Sequence, residues 1–187
     1  MELFEQSAVK GDDYAQYYLG ACYENGEGVA QDYAKAREWY EKSAIQGNAN
    51  AQNAFGMTYF NGAGVEANDE EALKWFRMAA DQEESVAQFN VGFCYYHGYG
   101  TEIDYNEAFQ WFLRSAEQDY ASAQYMMGEC YYNSEGTEEN YSEAFKWYKK
   151  AAEQDIADAQ FGLGRCYYYG EGVDMDDTIA VSWFQKA

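Results

Sequence analysis

The chain has 187 residues, of which 33 are acidic and 12 are basic, and its formal net charge at pH 7 is -21. This charge argues against nucleic acid and anionic membrane surfaces as partners, because binding to phosphate needs clustered lysine and arginine. Aromatic residues make up 19% of the chain, unlike an acidic disordered chain, and no apolar run is long enough to span a bilayer.

The sequence repeats with a period of 36 residues. Glycine and tryptophan each recur at one repeat position in all five units, as Gly20, Gly56, Gly92, Gly128 and Gly164, and as Trp39, Trp75, Trp111, Trp147 and Trp183. A fixed period of this length is typical of stacked repeats that share one continuous core. We therefore expect one solenoid domain over residues 1–187. Its repeats are 13–48, 49–84, 85–120, 121–156 and the incomplete 157–187, and residues 1–12 align with the end of a preceding repeat.

The first helix of each unit is predicted from the spacing of its apolar residues. In the first complete unit the helix covers residues 13–24, with Ala15, Leu19 and Cys22 on one face. Steps of four and three residues indicate a helix, because a strand would alternate every second residue. Gly20 lies inside this helix, where glycine is less favourable than alanine by about 1 kcal/mol. Its recurrence predicts that a neighbouring helix approaches closely at this position.

The second helix begins after a turn that contains glycine, residues 25–29 in the first unit. The fourth unit has Ser134 in place of the first of these glycines, so we expect a loop there that is differently shaped or more mobile. A good N-cap residue starts the second helix in every unit: Asp32, Asn68, Asp104, Asn140 and Asp176. Glu71, Glu107 and Glu143 stand three residues later and indicate a capping box. Each unit is therefore a pair of antiparallel helices, and the fold class is an all-α solenoid.

The ends of the second helices differ between units. Gly47 suits a left-handed C-terminal cap, whereas Glu83, Asp119 and Asp155 replace it later in the chain. Because glutamate fits that conformation poorly, we expect those junctions to close by another route. Both ends of the chain fall inside a repeat without the polar face that terminal repeats carry. We expect either a longer parent protein or end-to-end self-association.

Residues 15–44, AQYYLGACYENGEGVAQDYAKAREWYEKSA, resemble the Sel-one-like repeat (SLR), a relative of the tetratricopeptide repeat. The five copies cover nearly the whole chain. The resemblance implies a right-handed, tetratricopeptide-like α-solenoid that serves as an adaptor or scaffold in protein complexes. Because a fold does not determine its ligand, this function is an expectation by analogy.

Four cysteines share one repeat position: Cys22, Cys94, Cys130 and Cys166. Packed helices lie about 8–10 Å apart, which exceeds the roughly 7 Å between Cα atoms that a disulfide can bridge. We expect buried free thiols, which favour a reducing compartment such as the cytoplasm. The pair Cys94 and His97 is too small a ligand set for zinc, so we expect no metal and no cofactor.

Residues 7–10, SAVK, match the S-x-x-K motif of penicillin-recognising enzymes. The companion S-D-N and K-T-G motifs are absent, and Ser7 aligns with Ser43 and Ser115 in a stripe of small residues. We therefore expect no enzyme activity. Two alternatives to a scaffold remain: a structural protein that stacks end to end and, below it, a β-lactamase-like or cell-wall-related enzyme.

In the superhelices that this chain resembles, the first helices line a concave groove. By that resemblance, the first-helix stripe consists of residue 14 and the residues three, seven, ten and eleven positions later, repeated through five units. Aromatic residues so placed are typical anchors of protein interfaces. The expected groove residues are Tyr14, Tyr17, Asn53, Phe60, Phe89, Phe93, Tyr96, His97, Tyr125, Glu129, Tyr132, Phe161, Arg165 and Tyr168. The position that Phe60, Tyr96, Tyr132 and Tyr168 share is equally compatible with packing.

The sequence thus predicts an interaction scaffold that holds a peptide or a partner segment in an aromatic groove. The net charge of -21 favours a cationic protein or peptide as the partner. Neither nucleic acid binding nor membrane insertion is expected.

Overall fold

The computed structural model describes residues 2–187, with side chains from Glu5 onward. The described residues form eleven α-helices and no strand, which confirms the all-α solenoid of antiparallel helix pairs. The helices are α1 (Glu2–Val9), α2 (Asp13–Asn25), α3 (Tyr33–Ile45), α4 (Ala49–Asn61), α5 (Asp69–Ala80), α6 (Ser85–His97), α7 (Tyr105–Glu117), α8 (Ala121–Asn133), α9 (Tyr141–Ala152), α10 (Ala157–Tyr169) and α11 (Asp177–Phe184). Over this described range, every helix is too short or too polar to cross a membrane.

The chain divides into two compact units. Unit 1 contains the residues up to Cys94 together with Tyr99–Glu102, and unit 2 contains Tyr95–Gly98 together with Ile103–Ala187. Each unit has its own buried side chains. The largest of them are Tyr40, Phe55 and Phe76 in unit 1, and Tyr148, Phe112 and Met127 in unit 2. The single domain expected over residues 1–187 stays a prediction.

The close helix approach predicted at the recurring glycine is confirmed. A methyl group on Gly20 would lie 2.6 Å from the ring of Tyr40, which belongs to α3. In unit 2, a methyl group on Gly128 would lie 2.5 Å from the ring of Tyr148 in α9. Real Cβ atoms essentially never come closer than 3.0 Å to a neighbour. The glycine therefore lets an aromatic ring of the second helix pack directly on the backbone of the first.

The predicted N-caps are confirmed, but the capping box is only half formed. All five N-cap side chains accept a backbone N–H from the first turn of their helix. The reciprocal bond from the N-cap backbone to the glutamate is replaced. In the second repeat, for example, the backbone N–H of Asn68 donates to the carbonyl of Tyr59 at 3.0 Å. The carboxylate of Glu71 pairs instead with Lys74 at 3.3 Å. The N-cap residue thus joins the two helices of a repeat and also starts the second helix.

The prediction of a differently shaped loop in the fourth repeat is wrong at Ser134, the second residue of that loop. Ser134 has φ 62° and ψ 39°, the left-handed conformation that Gly26 adopts at the same repeat position. Its backbone N–H donates to the carbonyl of Cys130, which is the bond that closes α8. Its hydroxyl also donates to the carbonyl of Thr137 at 3.1 Å. These two bonds hold serine in a conformation that costs a non-glycine residue roughly 1–2 kcal/mol.

The second helices are also followed by one shared backbone conformation. Gly47 has φ 97°, which confirms the left-handed cap. The alternative route predicted for the later junctions is wrong, because Glu83, Asp119 and Asp155 all have φ between 62° and 64°. A side-chain bond supports this conformation at the end of the third repeat, where the buried amide of Gln124 donates to the Asp119 carboxylate at 3.2 Å. Short acidic side chains that bond locally tolerate this region better than most residues do.

A buried glutamine connects successive repeats. It occupies the same position in every repeat, as Gln16, Gln52, Gln88, Gln124 and Gln160. Each side-chain amide donates to the carbonyl eight residues earlier, in the last turn of the preceding helix, at 3.0 to 3.4 Å. Helix ends leave such carbonyls without a backbone partner. The glutamine therefore satisfies a helix end and fixes the position of the next first helix.

A cationic side chain lies over the recurring tryptophan of the second helix. Lys42 stands 4.1 Å from the Trp39 ring, and Lys150 stands 4.2 Å from the Trp147 ring. The same spacing of three residues brings the two side chains together on one helix face. This contact contributes a cation–π attraction at the solvent boundary.

Candidate binding face

The stripe residues lie on the first helices α2, α4, α6, α8 and α10. Tyr14, Tyr17, Asn53, Phe60, Phe89 and Phe93 belong to unit 1, and Tyr96, His97, Tyr125, Glu129, Tyr132, Phe161, Arg165 and Tyr168 belong to unit 2. Every one of these side chains is at least partly exposed. Tyr14, Phe161 and Tyr168 are the most open of the aromatic members, with 62%, 56% and 48% of their surface exposed. Stripe residues thus remain accessible in each unit.

In unit 1 the structure brings Phe60, Phe89 and Phe93 together. The rings of Phe60 and Phe93 lie 6.4 Å apart in an edge-to-face arrangement, and those of Phe89 and Phe93 lie 6.0 Å apart. Together with neighbouring side chains they enclose a cavity of about 110 Å³. Its floor is formed by Phe76 and by Cys94, which is 1% exposed. The predicted aromatic positions therefore form a pocket, and not only a surface.

Tyr99 and Asn90 belong to this region, and sequence reasoning missed both. Tyr99 follows α6 in the turn; its ring stacks on Phe93 at 6.0 Å and meets the edge of Phe60 at 5.4 Å. Asn90 lines the pocket, and its amide donates to the side-chain oxygen of Asn53 at 2.8 Å. Tyr99 could have been found as a departure from the repeat pattern, since the same turn position holds glutamate in three of the other four repeats.

In unit 2 a polar network replaces the aromatic pocket. Tyr148, buried in α9, donates its hydroxyl to Glu129 at 2.5 Å, and Arg165 donates to the same hydroxyl oxygen at 3.3 Å. The Arg165 guanidinium lies 3.8 Å from the centre of the Tyr132 ring and 4.0 Å from the Glu129 carboxylate. Burial, and then the hydrogen bond to Glu129, raise the pKa of Tyr148. Burial likewise raises the pKa of Tyr125, to about 12, so both phenols stay neutral at physiological pH.

One column of the stripe contacts the turn of the following repeat. In unit 2, Tyr96 donates its hydroxyl to Glu135 at 2.6 Å, and burial followed by this bond raises the pKa of Tyr96. In unit 1 the pair at these positions is Phe60 and Tyr99, which meet through their rings. A phenol therefore faces a carboxylate in one repeat, and two aromatic rings meet in another. These contacts support a packing role for the column beside any role in binding.

The cysteines are free thiols, as predicted. Cys94, Cys130 and Cys166 are buried, and burial is the main cause that raises the pKa of each to about 12. Cys22 is only half-buried, so its predicted burial is wrong. The helix before α2, which carries Cys22, is α1 with eight residues, whereas the helices before α4, α6, α8 and α10 have 12 or 13 residues. Among the side chains that the structure describes, from Glu5 to Ala187, no group of three or more His, Cys, Asp or Glu could hold a metal ion.

The repeat can also be compared with known proteins. The family model described as the Sel1 repeat matches residues 13–48, 49–84, 85–120, 121–156 and 157–187. The chain belongs to the Sel1 repeat family. Sel1 repeat proteins generally act as protein-interaction scaffolds, and their fold is typically non-enzymatic. None of the curated proteins compared with the chain matches it.

Solved structures with the Sel1 fold are similar over nearly the whole chain. The protein c5321, a protective antigen present in uropathogenic Escherichia coli strains, is 38% identical with a TM-score of 0.93; the alignment covers 100% of this chain and 40% of c5321. A Sel1 repeat protein from Oxalobacter formigenes is 34% identical with a TM-score of 0.88, and the alignment covers 93% of this chain and 69% of that one. A Klebsiella pneumoniae subsp. pneumoniae Sel1 repeat protein, 21% identical, shares the fold with a TM-score of 0.63, over 98% of this chain and 89% of its own. The chain thus spans about two fifths of the length of the E. coli protein.

Proposed function

We propose that this Sel1 repeat chain is an interaction scaffold that holds an extended peptide or partner segment against the first-helix stripe. The observation that carries the proposal is the accessibility of aromatic residues on that stripe. Eleven of the 25 stripe positions are aromatic, whereas aromatic residues make up 19% of the whole chain. By contrast, the second-helix rings that pack on the recurring glycines, such as Tyr40 and Tyr148, are buried. Accessible aromatic residues concentrated on one face are typical of the energetic centre of protein interfaces.

Polar groups beside these rings support an extended segment as the ligand. The side chains of Asn53 and Asn90 are half-buried and hydrogen-bonded to each other. The Asn90 amide nitrogen also lies 3.9 Å from the Met57 sulfur. The Asn53 amide nitrogen and the Asn90 side-chain oxygen have donor and acceptor capacity that the backbone of an extended peptide can use. The net charge of -21 favours a cationic segment and would speed its association at low salt.

A peptide array compared across two variants tests this function. The variant Phe89→Ala/Phe93→Ala removes two rings of the stripe, and Ile45→Ala/Met78→Ala removes two exposed apolar side chains of α3 and α5 as a matched control. We expect peptides captured by the wild-type chain to be lost by the first variant and kept by the second. Far-UV circular dichroism shows whether each variant is folded. If a folded Phe89→Ala/Phe93→Ala protein captures the same peptides equally well, the stripe is not the binding face.

A second candidate function is end-to-end self-association. Apolar side chains on and before α11 are exposed, namely Met175 at 67%, Val181 at 53% and Ile179 at 37%. Exposed apolar surface of this kind favours association with another apolar face. Sedimentation equilibrium over a wide concentration range tests it. A strict monomer at the highest concentration contradicts self-association.

A further inference from the structure

The aromatic pocket of unit 1 has the form of a socket for one side chain. Phe76 and Cys94 are each 1% exposed and form its floor. The half-buried side chains of Phe60, Phe89 and Phe93 form its walls, so the floor is reached from the stripe face. Of its lining residues, Asn90 is the polar one. The lining therefore selects an apolar group, while Asn90 stands where a neighbouring peptide bond can reach it.

The size of the pocket selects among apolar groups. Its volume is about 110 Å³, and a cavity of about 150 Å³ is known to accept a benzene molecule. A pocket smaller than that is a better match for a branched aliphatic side chain such as leucine than for the much larger indole ring of tryptophan. The lining is rich in phenylalanine, and a flexible methionine, Met57, completes it.

The surrounding charges select the residues that flank the apolar one. Glu84 precedes α6 and accepts the backbone N–H groups of Val86 and Ala87, so its carboxylate lies at the start of the helix that carries Phe89 and Phe93. Glu24 occupies, one repeat earlier, the stripe position of Phe60. Glu24 accepts the hydroxyl of Tyr40 at 2.6 Å. Burial and Tyr18, followed by the Glu24 and Glu84 carboxylates, raise the pKa of the stripe residue Tyr17. The stripe positions of unit 1 contain no lysine or arginine.

We propose that this pocket takes one aliphatic side chain of about leucine size from an extended peptide whose flanking residues are lysine or arginine. The inference rests on the proposed scaffold function and specifies its ligand class. The pocket supplies apolar contact, Asn90 can bond the peptide backbone, and Glu24 and Glu84 attract the flanking cations.

The test uses the full chain with ¹³C-labelled methionine methyl groups and the synthetic peptide KRSLSRK as probe. Met57 lines the pocket, so its methyl resonance, assigned with a Met57→Leu variant, reports occupancy directly. We expect a saturable shift of this resonance. Replacing the peptide leucine by alanine should weaken binding by about 10- to 50-fold, because three buried carbons are lost. Replacing it by tryptophan, or the flanking cations by glutamate, should abolish the shift.

Phe161→Ala is the matched control for Phe89→Ala, since Phe161 occupies the same repeat position in α10. We expect Phe89→Ala to weaken binding of KRSLSRK by at least tenfold and Phe161→Ala to change it less than twofold. Because the peptide series needs only the wild-type chain, an unfolded Phe89→Ala protein leaves the test intact.

Three results would overturn the inference: no shift of the Met57 resonance with KRSLSRK, equal binding of the tryptophan peptide, or equal binding of the glutamate-flanked peptide. The scaffold function fails separately. It fails when no array peptide is lost by the folded Phe89→Ala/Phe93→Ala protein, whereas the socket alone fails when array peptides are lost but show no preference for an aliphatic residue between cations.

Discussion

An added methyl group at position 128 probes how closely the paired helices are packed. In Gly128→Ala the new Cβ would lie 2.5 Å from the ring of Tyr148. That ring is wholly buried, and its hydroxyl donates to Glu129 at 2.5 Å, so it has little room to move. Overpacking typically costs about 1–3 kcal/mol, and the better helix propensity of alanine offsets about 1 kcal/mol of it. We expect the free energy of unfolding to fall by about 1–2 kcal/mol.

Gly164→Ala is the matched control. Gly164 occupies the same repeat position in α10, and its added Cβ would lie 2.7 Å from the ring of Phe184. Phe184 is 36% exposed, however, and can move aside. We therefore expect a change between zero and a gain of about 1 kcal/mol. Urea unfolding followed by far-UV circular dichroism measures both variants. A Gly128→Ala protein as stable as Gly164→Ala would refute the packing argument.

Three further predictions concern local features. Ser134→Gly relieves a left-handed conformation but also removes the hydroxyl bond to Thr137, so the free energy of unfolding should rise by at most about 1 kcal/mol in the same urea assay; a decrease would mean that the hydroxyl bond outweighs the strain. Lys150→Gln removes the cation over the Trp147 ring and should lower that free energy by about 0.5–1 kcal/mol at low salt; an equal loss at high salt would contradict an electrostatic origin. Cys130 should react with iodoacetamide at about pH 8 far more slowly than the half-buried Cys22, because burial raises its pKa to about 12. For the same reason the Cys130 contribution to stability is complete below its ordinary pKa of 9.0 and is lost as the pH rises towards 12, since the unfolded chain ionises first. Equal alkylation rates for the two thiols would contradict its burial.

Much of the fold could be predicted because it depends on short-range patterns. The N-cap role of Asp32 follows from its place before an apolar stripe, and the backbone N–H of Lys35 bonds to it at 3.0 Å. The close approach at Gly20 follows from the recurrence of an unfavourable residue inside a helix. Such features need only the residues of one unit and the period of 36. They were therefore visible without any knowledge of distant contacts.

The wrong predictions came from ranking residues by their intrinsic preferences. Serine and glutamate are poor choices for left-handed backbone, and aspartate is only a tolerated one, yet Ser134, Glu83 and Asp119 all adopt it. The stacked helices on either side impose that geometry, and side-chain bonds to Thr137 and Gln124 support it. Tertiary context of this kind overrides propensity, and the local sequence alone does not contain it.

The candidate site was predictable as a set of positions but not as an arrangement. The repeat placed Phe60, Phe89 and Phe93 on one face, and the structure brings them together. The contact between Phe60 and Tyr99 joins residues more than one repeat apart, through a turn residue that departs from the repeat pattern. The difference between an aromatic pocket in unit 1 and a charged network in unit 2 likewise depends on such long-range pairs.

Mapping a bound peptide on the chain by NMR tests the central claim most directly. The measurement compares backbone amide shifts of the ¹⁵N-labelled protein with and without a saturating array-selected peptide. The scaffold account predicts the largest changes at stripe residues of the first helices, with Phe89 and Phe93 in α6 among them. Changes confined to exposed residues of the second helices, such as Ile45 and Met78, would show that the partner binds elsewhere and would contradict the account.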